Sequence, residues 1–130
     1  MKALSIRQPL AWAIIHAGKD IENRSRRTTY RGPVLIHAAK TMTPAEYEDF
    51  LAFSRDRFRF TFPATRLPAG GDLQFGGIIG QAEIVDCVDE HPSPWFIGPF
   101  GFVLANPKPL PFRPLLGQLG LFEVEMEVAQ

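Results

Sequence analysis

Residues 76–89 read GGIIGQAEIVDCVD, the longest stretch of the chain with strand character. Counted in twos, Ile79, Gln81, Glu83, Val85 and Cys87 fall on one face, and Ile78, Gly80, Ala82, Ile84, Asp86 and Val88 on the other. The small residues Gly80 and Ala82 predict a tightly curved strand of the kind that closes a barrel. Glu83 lies on a mainly apolar face, where burial would raise its proton affinity and suit it to proton transfer. Pairing with an arginine is the competing expectation for it.

Downstream, residues 92–99 (PSPWFIGP) form a loop carrying Trp95 and Phe96, and Phe100 to Ala105 reads as another strand. The segment 107–114 is proline-rich and reads as extended. Leu121 to Val128 alternates, with Phe122, Val124, Met126 and Val128 inward and Glu123, Glu125 and Glu127 outward. Upstream, Ala3 to Ile6 is a short strand, and a helix starts at Pro9 and stops before Gly18, with Ala11, Trp12, Ile14 and Ile15 on its apolar face. Ile21 to Arg24 and Val34 to Ala38 read as strands, the second of them buried. Thr43, Pro44 and Glu46 form a capping box that opens a helix reaching about Asp56, with Tyr47, Phe50, Leu51 and Phe53 inward. Residues 57–62 (RFRFTF) read as an edge segment with its rings packed inward; stacking on a single strand is the alternative. His16 and His37 read as hydrogen-bonded core histidines. The elements add up to an α+β chain: a small mixed β-barrel of five to six strands with two or three flanking helices, in one domain over residues 1–130.

Composition narrows the function classes. A chain of 130 residues buries roughly two thirds of its unfolded surface in one core. The lone Cys87 makes no internal disulfide or cysteine-based metal cluster, and its free thiol fits a reducing, cytoplasmic setting. The histidines show no metal-ligand spacing, so neither metal nor cofactor is expected. No run of 18 apolar residues is present and the first residues lack a signal-peptide pattern, so no membrane partner is expected. The formal net charge of zero is unevenly spread: residues 1–40 hold eight Lys/Arg against two acids, and the remainder holds the opposite excess. Such a division predicts a positive face, unless the two parts fold together and cancel.

The candidate site is the polar ribbon GKDIENRSRRTTYRG, residues 18–32, between two apolar segments. Two residues apart on a strand, Glu22 and Arg24 project from one face, with Lys19 at the turn before them. Arg7 stands beside the helix start, where unpaired N–H groups attract anions. Arg7, Lys19, Glu22 and Arg24 are therefore expected on one continuous concave surface, with Lys19 exposed and Glu22 held by an arginine.

Three stretches carry a family resemblance: LSIRQPLAWAIIHAGKDIENRSRRTTYRGPVLIHAAK (4–40), GGIIGQAEIVDCV (76–88) and GPFGFVLANPKPL (98–110). The chain resembles the ASCH domain, the module named after activating signal cointegrator-1 homology. Gly18-Lys19-Asp20-Ile21-Glu22-Asn23-Arg24 is similar to that family's G-x-K-x-x-E-x-R motif, one residue tighter between Gly and Lys. Leu10 and Arg26 stand where close relatives often carry tryptophan, and Ala13 where some nuclease members place a tyrosine. The resemblance implies a PUA-like barrel with a cleft between barrel and helices, lined by the Lys-Glu-Arg motif. It implies a nucleic-acid-binding module, RNA before DNA, using Arg7, Gln8, Lys19, Glu22, Arg24, Arg26, Arg27, Tyr30, Arg31 and Trp95. Of these the cations would contact phosphate, while Trp95 or Tyr30 stacks on a base. The alternative it implies is a small hydrolase of RNA or of acylated or otherwise modified cytidine nucleosides. There Lys19 with Glu22 or Glu83 would be catalytic, and the partner would be nucleoside-like.

Overall fold

The computed structural model describes residues 1–58 and 67–125, Phe58 by its backbone alone. In chain order the elements are β1 (Lys2–Ile6), α1 (Leu10–His16), β2 (Ile21–Arg24), β3 (Gly32–Ala38), α2 (Pro44–Phe58), β4 (Gly77–Val88), β5 (Phe100–Pro114) and β6 (Leu121–Glu123). A single 3₁₀ turn, Gly70–Asp72, precedes β4. The six strands make one mixed sheet in the order β2-β5-β4-β3-β1-β6, parallel between β1 and β3 and antiparallel elsewhere. The sheet curls into a half-barrel, as the α+β barrel reading expects, and two α-helices accompany it.

Curvature comes from register shifts as much as from small residues. β4 slips against β5 between Ile78 and Gly80, Gln81 and Glu83, and Ile84 and Asp86. These irregularities break the strict alternation read from the sequence, so Ile79, Ala82 and Ile84 all join one core cluster. Gly80 has a second reason to be glycine. A Cβ there would lie 2.5 Å from Ile15 Cδ1 and 2.7 Å from the Lys108 carbonyl oxygen, so the bare backbone lets α1 sit against the sheet. The segment 107–114, expected to be extended, continues β5 and pairs along β4. Of the final alternating run, Phe122 and Val124 are buried as expected, while Met126 and Val128 lie outside the described residues. The basic–aromatic alternation at 59–62 also lies outside them.

Both helices are set by their ends. α1 buries Ala11, Ala13, Ile14 and Ile15 and leaves Trp12 half-buried. It stops where Gly18 takes φ +72°, and the N–H groups of Ala17 and Lys19 both donate to Ala13 O. The capping box of α2 is present on both sides: Thr43 N–H donates to Glu46 Oε1 at 2.8 Å, and Glu46 N–H to Thr43 Oγ1 at 3.1 Å. His37 is a core histidine, held between Ser5 Oγ and the Leu115 carbonyl. His16 is not; it is exposed and lies against the Trp12 ring.

Candidate base-sized cleft

The turn that closes α1 decides where Lys19 goes. With Gly18 in the left-handed region, the chain reverses at once into β2, and Lys19 is carried inward instead of outward. Lys19 is 3 % exposed and Glu22 7 %, which corrects the expectation of a solvent-facing lysine. Lys19 Nζ donates to the Ile21 carbonyl and lies 3.7 Å from Glu22 Oε1. On the other side of the same carboxylate, Arg24 Nε donates to Glu22 Oε2 at 2.9 Å, and Arg24 Nη2 reaches the Ser5 carbonyl at 3.1 Å. Glu22 therefore sits between two cations and is held by an arginine. Burial lowers the Lys19 pKa, with the Glu22 charge opposing that effect.

Above this relay lies a cavity of about 370 Å³, walled by Leu10, Phe50, Phe53, Trp95 and Ile97, with Lys19, Glu22 and Gln8 among its polar lining. The Trp95 indole is packed from several sides: Lys19 Nζ stands 5.7 Å from its centroid, and the Phe50 and Phe53 rings lie 6.2 and 5.4 Å away. Its loop is anchored by β2. Asn23 Oδ1 accepts from the N–H groups of Ile97 and Gly98, Asn23 Nδ2 donates to the Trp95 carbonyl, and Ser93 Oγ donates to Asp20 Oδ1 at 2.6 Å.

The rim is charged but balanced. Arg7 holds Glu46 through Nε at 2.8 Å and Nη2 at 2.5 Å, and also reaches Thr41 Oγ1. This bidentate pair brings the Glu46 carboxyl down to about 2, with the Thr43 amide as the next cause. Asp49 stands on the same rim.

Arg7, Gln8, Lys19, Glu22 and Trp95 thus meet in one cleft, and the other expected site residues do not. Three N–H groups at the α1 start are occupied: Ala11 donates to Arg7 O, Ala13 to Pro9 O, and Trp12 to the Gln8 side-chain oxygen. Arg24 grips Glu22 from behind and faces different cavities, together with Arg26 and Arg27, so the four-residue concave surface is divided in two. Tyr30 bonds its hydroxyl to the Pro33 carbonyl and packs on the core, while Arg31 folds back onto the Thr28 and Tyr30 carbonyls. Glu83 is half-exposed on β4, facing Pro33 and Ala105 across the sheet, and does not line the cleft.

Of the Lys-Glu-Arg motif, Lys19 and Glu22 line the cleft, and Arg24 supports Glu22 from outside it. The ASCH domain model matches residues 4–97. The chain belongs to the ASCH domain family. The match holds the whole cleft, from Arg7 to Ile97, and ends before the third resembling stretch at 98–110. No curated protein matches the chain.

Sequence reading missed Asn23, Glu46, Asp49, Phe50 and Phe53 as parts of this ASCH cleft. Phe50 and Phe53 were visible as an i, i+3 pair, though only as core. Asn23 had a signal as well, an amide with two faces beside a proline-rich loop short of partners. Among the described residues no three His, Cys, Asp or Glu side chains gather to hold a metal, and no helix is long and apolar enough to cross a membrane.

Proposed function

We propose that this ASCH domain binds single-stranded RNA by taking one unstacked base into the aromatic-walled cleft. The observation that carries this reading is the pairing of a cavity of about 370 Å³ with a buried Lys19–Glu22 floor. Its size falls at the small end of the range for small-molecule pockets, about 300–1,000 Å³. Apolar and aromatic walls suit a base face, which is how proteins usually read unpaired RNA. Lys19 has three N–H donors and uses them on the Ile21 carbonyl and toward Glu22, which leaves one for a ligand. Glu22 Oε1, at 3.7 Å from Lys19, keeps an open acceptor beside that donor. A neighbouring donor and acceptor match a Watson–Crick edge, where every base presents the same two kinds of group side by side. Charge balance at the rim supports base recognition over phosphate contact at this cleft.

The test uses a Trp12→Phe protein, in which Trp95 is the one indole left. Nucleosides and short RNA and DNA strands are titrated while its fluorescence is followed. Saturable change with RNA, lost on Lys19→Met, is the expected result. No response to any nucleoside or strand at low salt would overturn the reading.

A second reading, hydrolysis of an acylated cytidine, is favoured by one observation: burial pushes Lys19 toward its neutral, basic form. A neutral Lys19 amine would take a proton from water as the water oxygen attacks the acyl carbon, and the proton would then go to the leaving amine. Chromatography of acetylated cytidine after incubation with the protein tests it; unchanged substrate removes the enzyme reading.

A further inference from the structure

A second cavity, of about 620 Å³, lies where the two edges of the half-barrel approach each other. One lip is the end of β2 and the loop after it, with Arg24, Arg26 and Arg27; the other is the turn into β6, residues 119–121. Leu4 and Phe102 line the interior between them. The first cleft carries Glu22, Glu46 and Asp49, whereas no acidic side chain lines this one among the described residues.

Two of the three guanidinium groups here, those of Arg24 and Arg27, are held before any ligand arrives. Arg24 is tied to Glu22 through Nε and to the Ser5 carbonyl through Nη2, while its Nη1 makes no hydrogen bond among the described residues. Arg27 is tied to Asp89 at 2.9 Å and lies 4.6 Å over the Phe100 ring. Arg26 is exposed and makes no ion pair among the described residues. Hydroxyl groups of Ser25 and Thr28 stand among them. Fixed guanidinium forks with neutral donors nearby favour the oxygens of a phosphate.

We propose that this seam cleft binds a phosphodiester group of a single nucleic-acid strand, apart from the base cleft. The choice of ligand rests on the RNA-binding reading above, but the site itself stands on a different cavity. β2 joins the two. Glu22 serves the first cleft and Arg24 the second, about 7 Å apart at roughly 3.3 Å per strand residue, a reach that one extended nucleotide covers.

The test follows arginine Nε–Hε and Trp95 indole signals by nitrogen-edited NMR. Three probes are added in turn: a nucleoside, a diribonucleoside monophosphate, and the same dinucleotide with an uncharged methylphosphonate link. In parallel, oligoribonucleotide binding is measured against salt for the wild type and for the double variant Arg26→Gln, Arg27→Gln. Expected are shifts of the arginine signals with the charged dinucleotide only, and a log–log salt slope lower in the variant by about 0.7 for each phosphate that is no longer neutralised. If ligands move the Trp95 signal while the arginines stay silent and the slope is unchanged, this proposal is overturned and the base cleft stands. Arginine shifts with a silent Trp95 uphold the seam cleft and refute the base cleft. Silence at both refutes both.

Discussion

Replacing Glu22 by glutamine keeps the shape of the relay and deletes the one charge that two cations share. Lys19 would then remain 3 % exposed with the Ile21 carbonyl as its hydrogen-bond partner and no nearby carboxylate touching it. Removing one member of a buried ion pair costs about 3–5 kcal/mol. At about 4 °C per kcal/mol for a domain of this size, the Tm falls by about 12–20 °C. Lys19→Met is the informative contrast. There Glu22 keeps Arg24 at 2.9 Å, so the cost is mainly that of the Ile21 carbonyl losing its donor, about 1–3 kcal/mol. The pH dependence separates this account from simple loss of packing. Burial lowers the Lys19 pKa in the folded protein, and Glu22 opposes the shift, so Glu22→Gln lowers it further. Between the folded and unfolded pKa values the unfolded chain binds more protons, and stability rises with pH there. The deficit of Glu22→Gln should therefore narrow as pH rises from neutral toward the ordinary lysine range. Urea unfolding followed by circular dichroism at several pH values measures it. A Glu22→Gln cost no larger than that of Lys19→Met, or a deficit independent of pH, would refute the shared-carboxylate account.

Two further outcomes follow from the fold. The Glu46 carboxyl titrates near 2 because Arg7 and the Thr43 amide hold its charged form, so this pair's contribution is complete above the usual glutamate range and disappears as pH falls through about 2. Carbon NMR of the carboxyl should show that midpoint and its return toward ordinary values in Arg7→Gln; an ordinary midpoint in the wild type contradicts the pairing. Gly80→Ala should lose about 1–3 kcal/mol in urea unfolding, since its Cβ meets Ile15 and the fixed Lys108 carbonyl at under 3 Å; a neutral result would mean that α1 sits farther from the sheet.

The half-barrel was legible in the sequence because strand period, glycine placement and caps all pointed the same way. Thr43 and Glu46 announce α2 by chemistry that needs nothing from the rest of the chain, and both hydrogen bonds of the box are present. Register was harder. The shifts that put Ile79 on the same core as Ala82 arise from pairing with β5, which no local pattern in β4 encodes. The proline-rich run at 107–114 was legible as extended chain, but its joining β5 was not, for a related reason. Local rules read proline as a strand breaker, yet prolines at alternate positions of β5 leave the N–H groups between them available to β4. Lys19 was the largest error at the site. Spacing showed that it precedes Glu22 and Arg24, but its burial depends on the Gly18 reversal and on Trp95 arriving from far down the chain.

The uneven charge distribution also changes meaning in the fold. Lys2 pairs with Glu123, Arg7 with Glu46, Arg27 with Asp89 and Arg31 with Asp86, each joining the basic first part of the chain to the acidic remainder. Exposed pairs of this kind add at most about 1 kcal/mol each. Their larger consequence is to offset much of the positive charge that the sequence gathers in residues 1–40, so that recognition falls to local groups. What survives the cancellation is concentrated on β2. Lys19 enters at its start, Glu22 turns toward the aromatic cleft, Asn23 pins the Trp95 loop, and Arg24 crosses to Ser5 at the seam. Glu22 touches both halves of this arrangement, through Lys19 on one side and Arg24 on the other. A substitution at Glu22 must therefore disturb both cavities at once, whereas Trp95 and Arg26 each report on one.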